Sequence, residues 1–189
     1  FDADNKEPRH GYKPDFEITF LCCNNNSEVA KYKSSSKRFT QVEVSGSTNP
    51  DIVVVNRESA YCISQWGSGH RKYNGKTFTF IASDGNSIGE IVSAVILQDI
   101  VYVFCKNRKL HKYDSCINKW SLIYTNYIPK AGSSPVEFHG KASFIGGFKD
   151  VKRTIVTNLV DMFCPENDQT LSGPTLNVER TYCATATYN

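Results

Sequence analysis

Apolar residues in this chain form short runs of about four to eight, and turn-forming residues separate one run from the next. An i, i+3, i+4 spacing of apolar residues, which an amphipathic helix would require, is hard to follow anywhere. The run "IVYVFCK" at 100–106 shows the common form, partly alternating and rich in large apolar side chains. The pattern predicts an all-β protein in which short strands follow one another closely.

The runs recur at a nearly constant interval. Four stretches share one frame: "EITFLCC" (17–23), "SAYCISQ" (59–65), "IVYVFCK" (100–106) and "KASFIGG" (141–147). The last position but one of each stretch is residue 22, 64, 105 or 146, which gives steps of 42, 41 and 41 residues. A period of this length is typical of repeat proteins built from one supersecondary unit.

A second strand that ends in an aromatic residue follows each frame, at Tyr32, Tyr73, Tyr113 and Phe163. In three of the four units another aromatic stands seven residues later, at Phe39, Phe80 and Trp120, although Phe78 competes with Phe80. Turn-forming residues fill the interval, so strand, turn and strand predict a hairpin. One such hairpin cannot bury both of its faces, and it is therefore expected to stack on copies of itself.

A third apolar run precedes each frame by about ten residues, as in "IVSAVIL" and "SPVEF". Four strands in roughly 41 residues match the blade of a β-propeller. The predicted blades are 16–46, 47–86, 87–128 and 129–176, and 177–189 is expected to begin a further blade. Residues 1–15 are polar and contain Pro8, Gly11 and Pro14, so they are expected to form a linker or, alternatively, an ordinary disordered leader.

The amino-acid composition agrees with an all-β fold and limits the expected binding partners and cellular compartment. Aromatic residues make up 12% of the chain and there is one Met, a composition that favours sheets. The net charge of +3 is too small to indicate nucleic-acid binding, and no apolar run approaches the roughly 20 residues of a membrane helix. The seven cysteines are odd in number and include no CxxC pair, which argues against a disulfide framework or a zinc site. We therefore expect buried, reduced cysteines and a cytoplasmic protein.

The glycine pair and the aromatic spacing together resemble the Kelch repeat. The clearest matches are "FIGG" (144–147), "LHKYDSCINKWSLI" (110–123) and "SGPTLNVERTYCATATYN" (172–189), and the resemblance covers about residues 16–189. It implies a Kelch-type β-propeller, of which this chain supplies about four four-stranded blades out of roughly six. The structural anchors that the resemblance implies are Tyr32, Tyr73, Tyr113, Trp120, Gly146, Gly147 and Phe163.

The chain departs from the Kelch pattern at several anchors. Only the fourth unit keeps both glycines, and the other units have Cys22-Cys23, Ser64-Gln65 and Cys105-Lys106. Glycine permits unusual backbone angles and close approach, so the Gln65 and Lys106 side chains are expected to turn outwards. We therefore interpret the chain as a divergent and incomplete member, whose partner specificity does not follow from the family.

Catalytic chemistry has little support in the sequence. The histidines are scattered over different repeat positions, at His10, His70, His111 and His139. No nucleophile elbow, HExxH motif, phosphate-binding loop or dinucleotide fingerprint occurs. We therefore expect no catalytic residue, no metal site and no cofactor. The weaker alternative is a copper-holding propeller enzyme with Kelch-like blades.

Binding to another protein is better supported. In a propeller, the loops from the second to the third strand and from the fourth strand to the next blade lie on one rim, and the longest of the first kind here is 148–158. Long loops on a rigid scaffold often carry function. Arginine suits a carboxylate-bearing partner because its guanidinium forms bidentate hydrogen bonds. The candidate contacts on this rim are Trp66, His70, Arg71, Arg108, Lys149, Lys152, Arg153 and Arg180.

The resemblance also implies a role in protein recruitment. In BTB-BACK-Kelch proteins a polar stretch joins the helical BACK domain to the first blade, and residues 1–15 have a similar composition. The leading hypothesis is the substrate-recognition module of a cullin-type ubiquitin ligase adaptor, whose BTB domain, upstream of Phe1, binds the cullin scaffold. The alternative is a scaffold that binds actin or another cytoskeletal protein and has no role in ubiquitin transfer. Neither hypothesis involves nucleic acid or a membrane.

Overall fold

The computed structural model describes residues 17–21, 28–33, 35–43, 52–55, 59–64, 69–81, 88–150 and 152–185. The secondary structure of these residues consists of strands and turns without a helix, which confirms the prediction of an all-β protein. Within these ranges no helix has the length and hydropathy needed to span a bilayer. The chain divides into two compact units, residues 1–47 and residues 48–189.

The first unit contains a three-stranded antiparallel sheet, sheet 1. Its strands, in spatial order, are β1 (Glu17–Leu21), β2 (Glu28–Lys33) and β3 (Arg38–Glu43). The predicted anchor Tyr32 lies in β2, opposite Phe39 of β3 in the register. The exposed residues 35–37 form the turn between these two strands.

The second unit contains three four-stranded antiparallel sheets. Sheet 2 consists of β4 (Ile52–Val55), β5 (Ala60–Ile63), β6 (Arg71–Tyr73) and β7 (Phe78–Phe80). Sheet 3 consists of β8 (Ile91–Leu97), β9 (Ile100–Cys105), β10 (Lys109–Asp114) and β11 (Lys119–Tyr124). Sheet 4 consists of β12 (Ser134–Phe138), β13 (Lys141–Ile145), β14 (Val160–Cys164) and β15 (Gln169–Ser172). Strands adjacent in sequence are adjacent in each sheet, and each sheet lies within one predicted blade segment.

Sheet 3 is covered on both faces by its neighbours. Val103 of β9 belongs to a buried cluster with Tyr61 of sheet 2, whereas the next residue, Phe104, belongs to a cluster with Phe144 of sheet 4. Successive side chains of a strand point to opposite faces, so a strand buried on both sides needs an uninterrupted apolar run, and β9 has one. The first strand of sheet 3, β8, contacts β4, the first strand of sheet 2, and β12, the first strand of sheet 4. The first strands of the three sheets therefore lie side by side.

Trp120 joins the outer part of sheet 3 to sheet 2. It lies on the outermost strand, β11, yet only 6% of its surface is exposed. The centre of its ring lies 5.1 Å from that of Tyr113 on β10 and 4.9 Å from that of His70, which precedes β6 of sheet 2. Aromatic rings bury large apolar areas, so Trp120 extends the interface between the two sheets far from their first strands.

The connection from sheet 3 to sheet 4 is held by aspartates of sheet 4. Asp161 forms an ion pair with Lys130 and accepts a hydrogen bond from the Tyr127 hydroxyl at 3.2 Å. The Tyr127 ring stacks on Phe163, with 5.2 Å between ring centres. Burial, together with the charge of the Asp161 carboxylate, raises the pKa of Tyr127, so its hydroxyl stays protonated and donates. Asp168 accepts further hydrogen bonds from the start of the connection.

The glycine pair after β13 allows three segments of the chain to meet. Gly146 and Gly147 have φ angles of 67° and 98°. A side chain on Gly146 would collide with the carbonyl oxygen of Arg180, which accepts a hydrogen bond from the Gly147 N–H at 2.8 Å. A Cβ on Gly147 would lie 2.9 Å from the carbonyl oxygen of Ala131. Glycine is needed here because other residues rarely adopt these φ angles and because no space remains for a side chain.

In sheet 3 the residues that correspond to the glycine pair are Cys105 and Lys106. Cys105 is buried, and its thiol donates a hydrogen bond to the Ile88 carbonyl oxygen at 3.2 Å. Lys106 is exposed and forms an ion pair with Glu90, so its side chain turns outwards as expected from the sequence. The corresponding expectation for Gln65 falls outside the described residues.

Residues 177–185, which the sequence places at the start of a further blade, form no strand longer than a single bridge. That bridge joins Arg180 to Thr157. Beyond it, the Tyr182 N–H donates to the Gly132 carbonyl oxygen at 2.8 Å, and the Thr185 hydroxyl donates to the Pro135 carbonyl oxygen at 2.7 Å. The described part of this segment therefore runs beside the beginning of β12.

Candidate functional site

In each of sheets 2, 3 and 4, the connection between the second and third strands lies at the edge opposite to the other two connections of that sheet, and we call it the loop edge. This follows from the antiparallel strand order, because the chain reverses direction at every turn. The connections differ greatly in length. In sheet 3 residues 106–108 join β9 to β10, whereas in sheet 4 residues 146–159 join β13 to β14. The long connection of sheet 4 is therefore the main distinguishing feature of the loop edge.

Part of this connection forms a small β-hairpin, the basic hairpin, which comprises residues 147–150 and 152–157. Phe148 pairs with Val156, and the Lys149 N–H donates to the Ile155 carbonyl oxygen at 2.8 Å. Its tip is closed by Asp150, whose carboxylate accepts the backbone N–H groups of Ile155 at 2.8 Å and of Thr154 at 2.9 Å. These hydrogen bonds lower the pKa of the Asp150 carboxyl group, and the bond from the Ile155 N–H has the largest effect. The carboxylate stays ionised near neutral pH, and the tip keeps its cap.

A second segment, the strap, comprises residues 176–182 and lies along the base of the basic hairpin. The Leu176 N–H donates to the Asn158 carbonyl oxygen at 2.8 Å, and the Arg180 N–H donates to the Thr157 carbonyl oxygen at 3.1 Å. Thr157 is fully buried between these elements. The backbone of the strap is thus fixed to the hairpin by hydrogen bonds, and the side chain of Arg180 remains exposed.

The basic hairpin and the strap together present four exposed cationic side chains, those of Lys149, Lys152, Arg153 and Arg180. All four are residues that the sequence analysis singled out. A backbone that is already fixed needs no further ordering when an anion binds, and arginine forms paired hydrogen bonds to carboxylates. The arrangement is therefore suited to a partner that carries carboxylates.

Tyr182 belongs to this surface and was missed by the sequence analysis. Its side chain is 68% exposed, and its hydroxyl accepts a hydrogen bond from the Arg153 guanidinium at 3.4 Å. Its φ angle is 51°, a rare value for a bulky residue, and its ring lies 5.7 Å from that of Phe148. The signal that could have pointed to it is an aromatic residue two positions after Arg180. The exposed apolar side chains of Ile155 and Val178 lie on the same two segments.

The remaining rim candidates are not part of this cluster. Arg108 is exposed at the sheet 3 turn with a φ angle of 60°. Arg71 is partly buried in sheet 2, with its guanidinium stacked 3.6 Å above the ring of Phe80. Trp66 lies outside the described residues. Arg71 and Arg108 thus belong to other sheets than the four clustered cations.

His70 differs from its predicted place on the rim. Its side chain is 2% exposed, and its Nδ1 accepts the Ser64 N–H at 3.2 Å. The ring packs against Trp120, so this residue contributes to the contact between sheets 2 and 3 and offers no surface to a partner. Its burial depends on an aromatic side chain supplied by the next sheet, which a local sequence pattern does not reveal.

The predicted structural anchors of sheets 2 to 4 lie in the interior. Tyr73, Tyr113, Trp120 and Phe163 are buried. Tyr113 donates a hydrogen bond to the Asn118 side chain at 2.9 Å, which ties the end of β10 to its turn. Burial raises the pKa of Tyr113 to about 12. The anchors therefore support the sheets and stand apart from the exposed surface of the basic hairpin.

The described residues hold no group of three or more His, Cys, Asp or Glu side chains that could bind a metal ion. No protein-family model matches the chain, and no curated protein matches it in sequence. The functional proposal therefore depends on the stacking of the sheets and on the basic surface of the loop edge.

Proposed function

We propose that the chain is a segment of a Kelch-type β-propeller and that its loop edge binds another protein. The stacking of sheets 2, 3 and 4 supports the propeller, because β8 contacts both β4 and β12 while the buried side chains of β9 face both neighbouring sheets. Repetition of the same step from one sheet to the next is the way in which blades surround a central axis. Sheet 1 lies within the predicted blade segment 16–46.

The observation that carries the binding proposal is the basic hairpin. Its backbone is held by the Asp150 cap and by the strap, and its cations are exposed. A loop ordered in advance avoids the entropy cost of ordering on binding. We assign to this surface a partner segment rich in Asp and Glu, bound by Lys152, Arg153 and Arg180, with Arg71 and Arg108 as outlying contacts on the same edge.

Within this proposal, the protein recruits its partner as the substrate-recognition module of a cytoplasmic, cullin-type ubiquitin ligase adaptor. A BTB region encoded upstream of Phe1 would bind the cullin. The loop edge and the basic hairpin support the recruiting step. The ubiquitin step derives from the Kelch resemblance of the glycine pair and the aromatic anchors.

Charge reversal of the hairpin tip tests the binding surface. In the full-length protein, Lys152→Glu combined with Arg153→Glu is expected to weaken the purified partner's affinity by about tenfold or more, because charged hydrogen bonds contribute about 1.5–3 kcal/mol each. The matched control is Lys76→Glu combined with Lys119→Glu, which makes the same charge change at exposed positions on the opposite edge of sheets 2 and 3. Equal affinity in both variants, with unchanged circular dichroism, would remove the hairpin from the interface.

A second experiment separates the adaptor from a cytoskeletal scaffold. The full-length protein is expected to co-purify with a cullin and to promote ubiquitin transfer to its bound partner, and the hairpin charge reversal should reduce that transfer. Co-sedimentation with actin filaments, without a cullin in the complex, would instead identify the scaffold.

A further inference from the structure

The outermost strand of sheet 3, β11, carries three exposed apolar side chains in succession. It spans six residues, Lys119–Tyr124, and forms the edge of the sheet beyond β10. Leu122, Ile123 and Tyr124 are exposed to 41%, 37% and 72%. No strand of the described residues pairs with this edge. Proteins usually protect such edges with charges, prolines or bulges, and β11 has only Lys119 at its beginning.

The hydrogen bonds to β10 determine which backbone groups of β11 are free. The Thr125 N–H donates to the Arg108 carbonyl oxygen at 3.0 Å, and these two residues continue the register in which Tyr124 lies opposite Lys109. In an antiparallel ladder every second residue directs its N–H and C=O to the same neighbour. Thr125 and Ile123 therefore bond towards β10, whereas the backbone groups of Trp120, Leu122 and Tyr124 point away from the sheet.

With this alternation of inward and outward backbone groups, β11 can pair antiparallel with β11 of a second copy. A two-fold axis through Leu122, perpendicular to the sheet, would place Leu122 opposite Leu122 of a second copy and Trp120 opposite Tyr124 of the second copy. All of these residues direct their backbone groups outwards, so each pair can exchange two hydrogen bonds. On the other face, Lys119 would lie opposite Thr125, and no like charges oppose each other. Aromatic and aliphatic side chains placed opposite each other stabilise antiparallel pairs.

We infer that β11 is a self-association site, at which two copies of this chain pair antiparallel about Leu122 and join their sheets 3 into one eight-stranded sheet. The other outermost strands of the second unit lack the same combination of features. β7 has three residues, and its Phe80 ring is covered by the Arg71 guanidinium. β15 carries Gln169, Thr170 and Ser172 and is followed by Gly173 and Pro174. The inference does not depend on the partner proposed for the loop edge.

The test measures the mass of the full chain by light scattering over a range of concentrations. The mass is expected to rise from monomer to dimer with concentration. Leu122→Pro removes a backbone N–H that points away from β10, so it should leave sheet 3 intact and weaken association by about tenfold or more. Thr170→Pro is the control. The Gly173 N–H bonds to the Val160 carbonyl oxygen, which places the Thr170 N–H on the outer side of β15 in the same way.

A cross-linking experiment then locates the axis. With the exposed Cys116 replaced by Ser, Leu122→Cys should form a disulfide-linked dimer on mild oxidation, because opposite Cα atoms of a hydrogen-bonded antiparallel pair lie about 5.5 Å apart. Thr170→Cys in the same background should remain monomeric. A mass that stays monomeric at all concentrations, association that survives Leu122→Pro, or equal cross-linking of the two cysteine variants would each overturn the inference.

Discussion

Trp120 shows how one side chain can couple two sheets. It extends from the outermost strand of sheet 3 and packs with Tyr113 on its own sheet and with His70 of sheet 2. Its indole Nε1 is buried and has no hydrogen-bond partner among the described residues. Apolar contact therefore provides its contribution to stability, and that contribution scales with the area of the ring.

Replacing this ring should be costly. Trp120→Ala is expected to lower the free energy of unfolding by about 3–5 kcal/mol, because it removes a buried aromatic ring and leaves a cavity between sheets. Urea denaturation measures the loss. Tyr124→Ala, on the same strand and 72% exposed, is the matched control and should cost less than about 1 kcal/mol. Equal costs for the two variants would mean that Trp120 does not join the sheets.

Buried ionisable groups predict a loss of stability in alkali. Burial raises the pKa of Cys105 from 9.0 to about 11 and that of Tyr113 from 10.0 to about 12. The unfolded chain therefore loses these protons at a lower pH than the folded chain does. Both contributions to stability are complete below pH 9 and decline as the pH rises through the folded pKa values.

The free energy of unfolding, measured by urea titration under reducing conditions, should thus begin to fall above pH 9. In Cys105→Ala the thiol is absent, so the decline should begin nearer pH 10, where Tyr113 of the unfolded chain starts to ionise. Identical pH profiles for the wild type and Cys105→Ala between pH 9 and pH 10 would contradict the assigned burial of the thiol.

At the scale of elements, the basic hairpin and the strap form one unit through the glycine pair. Gly146 lies against the Arg180 carbonyl oxygen, and Gly147 donates to that oxygen. The strap in turn holds Tyr182 beside Arg153. The conformation of the exposed surface therefore depends on two residues that no partner would touch.

Two alanine substitutions distinguish the energetic cost of a positive φ angle from the cost of a steric collision. Gly146→Ala meets a φ angle of 67° and a collision with Arg180, whereas Gly140→Ala meets a φ angle of 72° and open space. Gly140→Ala should cost about 1–2 kcal/mol, the usual cost of the left-handed conformation. Gly146→Ala should cost more and should release the strap, which amide hydrogen exchange at Arg180 and Tyr182 would detect. Equal losses of stability in the two variants, with unchanged hydrogen exchange of the strap, would show that the strap does not need a glycine at position 146.

The sequence predicted those elements whose pattern is local. An uninterrupted apolar run at 100–105 indicates a strand buried on both faces, and β9 is such a strand. The aromatic residues before and after the turn indicated Tyr113 and Trp120, and both are buried. The basic hairpin itself was predicted only as a long loop, because its shape depends on the Asp150 cap and on a strap that begins 19 residues after the hairpin ends.

Features that depend on contacts with neighbouring sheets could not be predicted from the sequence. His70 follows a glycine-rich stretch that is typical of an exposed turn, and its burial is caused by Trp120, fifty residues later. Tyr182 gained its position from hydrogen bonds to Gly132 and Arg153. Neither relation leaves a periodic pattern in the chain. The self-pairing of β11 likewise required the phase of its hydrogen bonds with β10, which only the structure supplies.

At the scale of the whole molecule, the second unit is a stack of three similar sheets. Each sheet repeats the same strand order, and the first strands of neighbouring sheets touch. Sheet 3 is therefore stabilised by two neighbouring sheets, as the units of other repeat proteins are. In the proposed propeller, the loop edges of the sheets would bring side chains that are distant in sequence to one side of the stack. Binding at that edge and self-association at β11 would use different surfaces, so both can occur together.

The most direct test of the proposed architecture is a crystal structure of the full-length protein. We expect β4, β8 and β12 to line one central axis, with further four-stranded sheets completing a closed ring and with the basic hairpin on the rim. A structure in which sheets 2, 3 and 4 separate, or in which their first strands do not share an axis, would contradict the propeller and remove the common loop edge on which the proposed binding depends.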